Sequence, residues 1–229
     1  MTEQSAQCII VGAGTFEKER FLRVVALCDH PYIIACDAGY AHLDSAGITP
    51  DLIVGDFDSV ARLDASYLER ICDIERDTPE RVIRLPVVKD DTDLMRAIRE
   101  GLDKGFTSYA LFGTLGGERF SLSVASLQSL TYLSHHGAQG VLYDAGCTVT
   151  MLTDGMTINL PGGSQNTISL FAMSEAVHGL TIEGLQYTLR DATLTHDFPL
   201  GVSNHFLPEK AASIRIGQGT LLVVEEPPC

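Results

Sequence analysis

Leu52-Ile-Val-Gly-Asp-Phe-Asp-Ser59 is an apolar run that stops at a glycine and two carboxylates. A continuous apolar run of this kind suits a strand covered on both faces, as in a parallel sheet. Alternate residues of an extended segment share a side, so Asp56 and Asp58 are expected to point the same way. Carboxylates at the end of a buried strand are costly unless they are paired or hold a metal ion. The ion expected is Mg²⁺, which takes hard oxygen ligands and keeps substrate phosphates in its shell. An Asp-rich surface turn carries the same letters, so the neighbouring segments decide between the two.

Five more short apolar runs flank this one. Cys8-Ile-Ile-Val11 ends at Gly12-Ala-Gly14, and Tyr32-Ile-Ile-Ala-Cys36 ends at Asp37-Ala-Gly39. Val82-Ile-Arg-Leu85, Tyr109-Ala-Leu-Phe112 and Val141-Leu-Tyr143 follow. Helical patterns lie between them, over 17–27, 40–46 (with Gly47 as C-cap), 61–72, 91–104 and 119–134. In the fourth, Leu94, Ile98 and Leu102 form one face; in the fifth, Phe120, Val124, Leu127 and Leu130 do. Strands alternating with helices predict a mostly parallel, Rossmann-like α/β domain.

After about residue 145 the pattern changes. Short β-type runs appear at 148–152, 157–160, 167–171, 180–183, 187–189, 212–216 and 221–224, separated by turns such as Pro161-Gly-Gly163. This half reads as an all-β sandwich or barrel. The expected division is an α/β domain over 1–150 and a β domain over 151–229.

Composition narrows the function. The chain has 229 residues, 45% of them hydrophobic and 20% charged, which suits a soluble globular protein. A formal net charge of −14, without a basic patch, disfavours a nucleic-acid partner. No apolar run approaches the ~20 residues of a membrane span, and the start has no signal-peptide pattern. No membrane association is expected, and the cytoplasm is the expected location. The six cysteines form no CxxC pair and read as reduced core thiols.

In open α/β sheets, ligands bind beyond the carboxyl ends of the strands. Four features fall there: Asp37-Ala-Gly39, Asp56-Phe-Asp58-Ser59, Lys89-Asp-Asp-Thr-Asp93 and Gly113-Thr-Leu-Gly-Gly117. Asp90 or Asp91 can cap the helix that follows, which accounts for part of the third. Lys89 and Thr92 beside the acids fit a Mg-nucleotide site. Gly113, Gly116 and Gly117 between a strand and a helix let backbone N–H groups approach a phosphate, although a tight turn needs glycines too. Gly12-Ala-Gly14 lacks the third glycine of a dinucleotide fingerprint, because position 17 is Glu. No nucleophile motif is present. Acids without a nucleophile favour transfer chemistry run by positioning and metal electrostatics.

Asp37-Ala-Gly-Tyr-Ala-His-Leu43, Gly47-Ile-Thr-Pro-Asp-Leu-Ile-Val-Gly-Asp-Phe-Asp-Ser59 and Lys89-Asp-Asp-Thr-Asp93 resemble the thiamine pyrophosphokinase family. Gly201-Val-Ser-Asn-His-Phe206 and Gly219-Thr-Leu-Leu-Val-Val224 resemble its thiamine-binding β domain. The resemblance implies diphosphoryl transfer from ATP to the thiamine hydroxyl, with Mg²⁺, in a homodimer with shared active sites. It implies Asp56, Asp58 and Asp93 as Mg²⁺ ligands, with Asp37 and Asp90 as further acids of the catalytic cluster. Lys89 and Thr92 then face the nucleotide, and Ser203 and Asn204 the thiamine. The family pattern Arg-x-Asp followed by His or Gln is here Arg119-Phe-Ser121-Leu122: the arginine stays, but Ser121 replaces the acid in the substrate site. His205 stands where Glu is common. Two alternatives remain: a diphosphokinase for another alcohol, such as a pterin, and a non-catalytic module that binds thiamine or its diphosphate.

Overall fold

The computed structural model describes residues 1, 3–88, 90–117, 119–144 and 146–228. They form two compact units, one of residues 4–145 and one of residues 146–229 with 1–3.

The first unit alternates strands and helices: β1 (Cys8–Val11), α1 (Lys18–Leu27), β2 (Tyr32–Cys36), α2 (Gly39–Ala46), β3 (Leu52–Gly55), α3 (Asp58–Leu63), α4 (Ala65–Asp77), β4 (Val82–Arg84), α5 (Asp93–Asp103), β5 (Ser108–Phe112), α6 (Phe120–His135) and β6 (Gln139–Tyr143). The strands pair in parallel in the order β6-β5-β1-β2-β3-β4. The order reverses between β1 and β5, where an open sheet has its switch point. The sheet is covered on both faces, as its continuous apolar strands require. Ile9, Val11, Ile33, Ala35, Ile53 and Phe112 pack with Phe21, Leu43, Phe57, Val60 and Ile71 on one face. On the other, α5 packs against β1, β2 and β3.

Two helices depart from the expected pattern. The helix expected over 61–72 is two helices, broken at Asp64, whose carboxylate caps α4 by accepting from the Ser66 N–H at 2.8 Å. The apolar stripe expected on α6 is buried only in its second half, at Leu130 and in part at Leu127. Phe120 is 81% and Val124 41% exposed, whereas Ser126, Ser129, Leu130 and Leu133 are buried. The serine hydroxyls are satisfied by carbonyls, Ser126 by Leu122 and Thr114, Ser129 by Ala125. Small residues bring α6 close to the sheet: a Cβ on Gly140 would lie 2.8 Å from Leu130 and Leu133.

The second unit holds β7 (Thr148–Thr153), β8 (Thr157–Leu160), β9 (Thr167–Ala172), β10 (Ala176–Glu183), β11 (Leu189–Thr195), β12 (Gly201–His205), β13 (Ala212–Arg215) and β14 (Thr220–Glu226). They pair antiparallel as β12-β9-β14-β7 and as β11-β10-β13-β8. Leu152, Leu170, Leu221 and Val223 of the first set meet Val177, Leu180, Ile182 and Ile214 of the second in one core. Among the described residues, no helix is long and apolar enough to cross a membrane.

Candidate active site

Three of the candidate acids follow the carboxyl ends of parallel strands, Asp37 after β2 and Asp56 and Asp58 after β3. Asp37 follows β2 directly, and its N–H donates to the Val54 carbonyl at 2.9 Å. Its φ of 51° is left-handed, a conformation that Asp tolerates better than most residues. Gly55 at the end of β3 makes room for it: a Cβ there would lie 3.2 Å from the Asp37 Cα. Ser59 donates its hydroxyl to the Asp37 carboxylate.

Asp56 and Asp58 do not lie on one extended segment. Phe57 between them has φ 65° and is buried in the core, and α3 begins at Asp58. The chain turns, and the Asp56 carboxylate accepts from the Asp58 N–H at 3.2 Å. A buried aromatic side chain holds a left-handed backbone here at a cost of about 1–3 kcal/mol. The guanidinium of Arg84, at the end of β4, lies 4.8 Å over the Phe57 ring and is paired with Glu75 at 2.6 Å. That pair holds the Glu75 carboxyl below the ordinary carboxylate range. Arg84 carries no motif signal in the sequence.

Asp93 opens α5, and its carbonyl accepts from the Cys36 thiol at 3.6 Å, which brings the helix start beside the end of β2. The cap of this helix is Thr92, whose hydroxyl accepts from the Met95 N–H at 3.1 Å; neither Asp90 nor Asp91 fills that place. Asp91 pairs instead with Arg99, and Asp90 is exposed. Lys89 lies outside the described residues. Among those described, no three acidic, histidine or cysteine side chains are gathered as a ready metal-ligand set. The donors that Asp37, Asp56, Asp58 and Asp93 offer are hard carboxylate oxygens, the ligand type that Mg²⁺ takes.

The glycine loop after β5 has Gly113, Gly116 and Gly117 at φ 61°, 70° and 80°. Its Gly116 N–H is taken by the Ser123 hydroxyl at 3.2 Å, and the Thr114 carbonyl by Ser126 at 2.7 Å. No motif marks these two serines, whereas Ser59 stands in the Asp56–Ser59 motif without its bond to Asp37 being legible there. Arg119 precedes the first turn of α6 in extended conformation, and both it and Ser121 are exposed.

In the second unit, Ser203 has φ 60° and an exposed side chain, and its N–H donates to the Ser169 hydroxyl at 3.2 Å. Asn204 is 6% exposed. Its amide brackets the backbone of Tyr187, accepting from the N–H at 2.9 Å and donating to the carbonyl at 2.7 Å.

An all-parallel α/β unit with an acidic, glycine-lined carboxyl edge, joined to an antiparallel β sandwich, is an α/β-plus-β protein with its polar groups where open sheets take ligands. Residues 26–142 match the thiamin pyrophosphokinase catalytic domain, and residues 155–221 match the thiamin pyrophosphokinase vitamin B1 binding domain. The chain belongs to the thiamin pyrophosphokinase family of enzymes. It is 26% identical over 196 residues to a thiamine pyrophosphokinase of Bacillus subtilis, covering 86% of this chain and 87% of that one. Solved structures share the fold. The Bacillus subtilis thiamine pyrophosphokinase aligns with a TM-score of 0.78 at 23% identity, over 99% of this chain and 100% of that one. The yeast enzyme aligns at 0.73 and 16%, over 99% and 87%.

Proposed function

We propose that this chain transfers the diphosphoryl group of ATP to the hydroxyl of thiamine, giving thiamine diphosphate and AMP. The hydroxyl oxygen bonds to the β-phosphorus, the bond from that phosphorus to the α-phosphate oxygen breaks, and the hydroxyl proton is lost. The observation that carries the reading is the meeting of Asp37, the Asp56–Ser59 turn and the start of α5 at one sheet edge, in a chain whose two halves match the family's two domains.

Asp56, Asp58 and Asp93 are the carboxylates proposed to hold Mg²⁺, with Asp37 and Asp90 beside them. Bound Mg²⁺ would offset the charge of the phosphate oxygens during transfer. The chain's own residues position the nucleotide. Gly113, Gly116 and Gly117 let the backbone come close to phosphate, and Arg119 supplies a cation beside that loop. Thr92 orders the acid-bearing turn by capping α5, and Lys89 is proposed as a phosphate contact. In the β domain, Ser203 meets thiamine, and Asn204 shapes that surface by fixing Tyr187. We assign ATP and Mg²⁺ to the domain of residues 1–150 and thiamine to that of 151–229, in a homodimer whose active sites are shared.

One observation favours a second reading, transfer to an alcohol less polar than thiamine. The first turns of α6 expose Phe120, Leu122 and Val124, and Ser121 brings no carboxylate. AMP release from ATP and Mg²⁺ with thiamine, in wild type and Ser121→Asp, separates the two. Thiamine-dependent AMP from wild type supports the first reading. Activity restored only by the aspartate, or only with another alcohol, supports the second. Thiamine binding without AMP from either protein would leave a binding module.

A further inference from the structure

The switch point between β1 and β5 is closed by backbone. The pairing of Val11 with Phe112 continues past both strand ends. The Gly12 N–H donates to the Phe112 carbonyl at 2.8 Å, Gly14 to Gly113 at 2.6 Å, and Thr15 to Leu115 at 2.9 Å. The approach leaves no room for side chains. A Cβ on Gly14 would lie 2.2 Å from the Leu115 oxygen, and one on Gly116 2.3 Å from the Thr15 hydroxyl.

His42 grips this turn from the other side. Its Nε2 lies 3.1 Å from the Gly14 carbonyl oxygen, and its ring stacks on Phe16 at 4.8 Å between centroids, with 15° between planes. A carbonyl only accepts, so Nε2 carries the hydrogen. The helix that bears His42 is seated by Gly39, three residues earlier on the same face, where a Cβ would lie 2.0 Å from the Val11 oxygen. A peptide group is planar and trans. The Gly14 carbonyl and the Thr15 N–H belong to one such plane and point in opposite directions, so holding the carbonyl aims the N–H at Leu115.

We infer that His42 is a positioning residue: by fixing the Gly14–Thr15 peptide it locks the 12–15 turn onto the 113–117 loop and makes the two a single cradle. Because α2 starts two residues after Asp37, the same helix ties that cradle to the acidic edge. Only the nucleotide part of the test rests on the function proposed above.

The test uses two complementary variants of the full chain. His42→Phe keeps a ring against Phe16 and removes the nitrogen. His42→Gln removes the ring and can place an amide N–H close to the position of Nε2. Hydrogen exchange, read without ligand, should quicken about 3- to 10-fold at the Thr15 and Gly14 amides in His42→Phe, with core amides such as Ile34 unchanged and with His42→Gln near wild type. In turnover, His42→Phe should raise the KM for ATP about 3- to 10-fold with kcat and the KM for thiamine within about twofold, and His42→Gln should restore it. Unchanged exchange at Thr15 in His42→Phe overturns the inference. So does equal loss in both variants, or quickening of every core amide alike, either of which makes His42 ordinary packing. A wild type that neither binds nor turns over ATP overturns the proposed function instead, and the exchange result still decides the role of His42.

Discussion

Ser59 donates its hydroxyl to the carboxylate of Asp37 and so joins the first turn of α3 to the turn after β2. The two residues are 22 apart in sequence and follow the neighbouring strands β2 and β3, with Gly55 leaving space for Asp37. The bond matters because Asp37 is half-buried in a left-handed turn, where a loose carboxylate would be free to swing away from the acidic edge.

Ser59→Ala should therefore lower stability by about 1–2 kcal/mol, the range for a hydrogen bond to a charged group with some exposure. Turnover should fall more than the affinity for either substrate, because the acidic edge proposed to hold Mg²⁺ loses a fixed wall. Urea unfolding and steady-state kinetics on one preparation check both. A variant with an unchanged unfolding midpoint and unchanged kcat would show that the bond contributes nothing in solution.

Asp56→Asn and Asp58→Asn should fold normally. Asparagine at 56 still offers an oxygen to the Asp58 N–H, and residue 58 is exposed. Each should cut Mg²⁺-dependent AMP release by about 100-fold or more, as loss of a charge that meets developing charge does. Near-normal turnover in Asp58→Asn would remove that residue from the metal shell.

The alternation of apolar runs with helical patterns carried the parallel sheet, because strands buried on both faces leave a continuous hydrophobic signal. Edge strands leave none. β12 has Val202, Ser203 and His205 exposed and was not expected as a strand; β11 was expected at 187–189 and runs over 189–195, with mostly exposed or half-buried residues. The acids of the candidate site were visible as motifs, but their local geometry was not. The turn at Phe57 depends on a core that buries its ring, and a short motif carries no information about that packing. Ser59 and His42 stand inside motifs and Ser123 outside any, but no motif names their partners Asp37, Gly14 and Gly116, which only the folded loops supply.

Burial lowers the pKa of His42 from its ordinary value of 6.5, against a smaller opposing effect of the Gly14 and Ala13 carbonyls. A histidine with a depressed folded pKa binds fewer protons folded than unfolded. Its folding contribution is whole above pH 6.5 and is lost as pH falls below it. Wild type should lose more stability than His42→Gln between pH 7.5 and 5.5, since glutamine does not titrate. Chemical unfolding of both proteins at the two pH values gives the comparison, and parallel losses would mean that other groups set the slope.

Ser203 and Asn204 are neighbours with different expected failures. The Ser203 side chain is exposed, and the backbone bond of that residue to Ser169 survives truncation. Ser203→Ala should keep its melting temperature and raise the KM for thiamine. Asn204 is buried, and its amide satisfies both the N–H and the carbonyl of Tyr187. Asn204→Ala leaves those groups unpaired, at a cost of about 2–4 kcal/mol, so its melting temperature should drop by about 4–10 °C. Any loss of thiamine affinity in Asn204→Ala then comes through the displaced segment at Tyr187, a residue 62% exposed. If Asn204→Ala instead melts with wild type and only its KM for thiamine rises, the amide reaches substrate directly and its bracket on Tyr187 is dispensable.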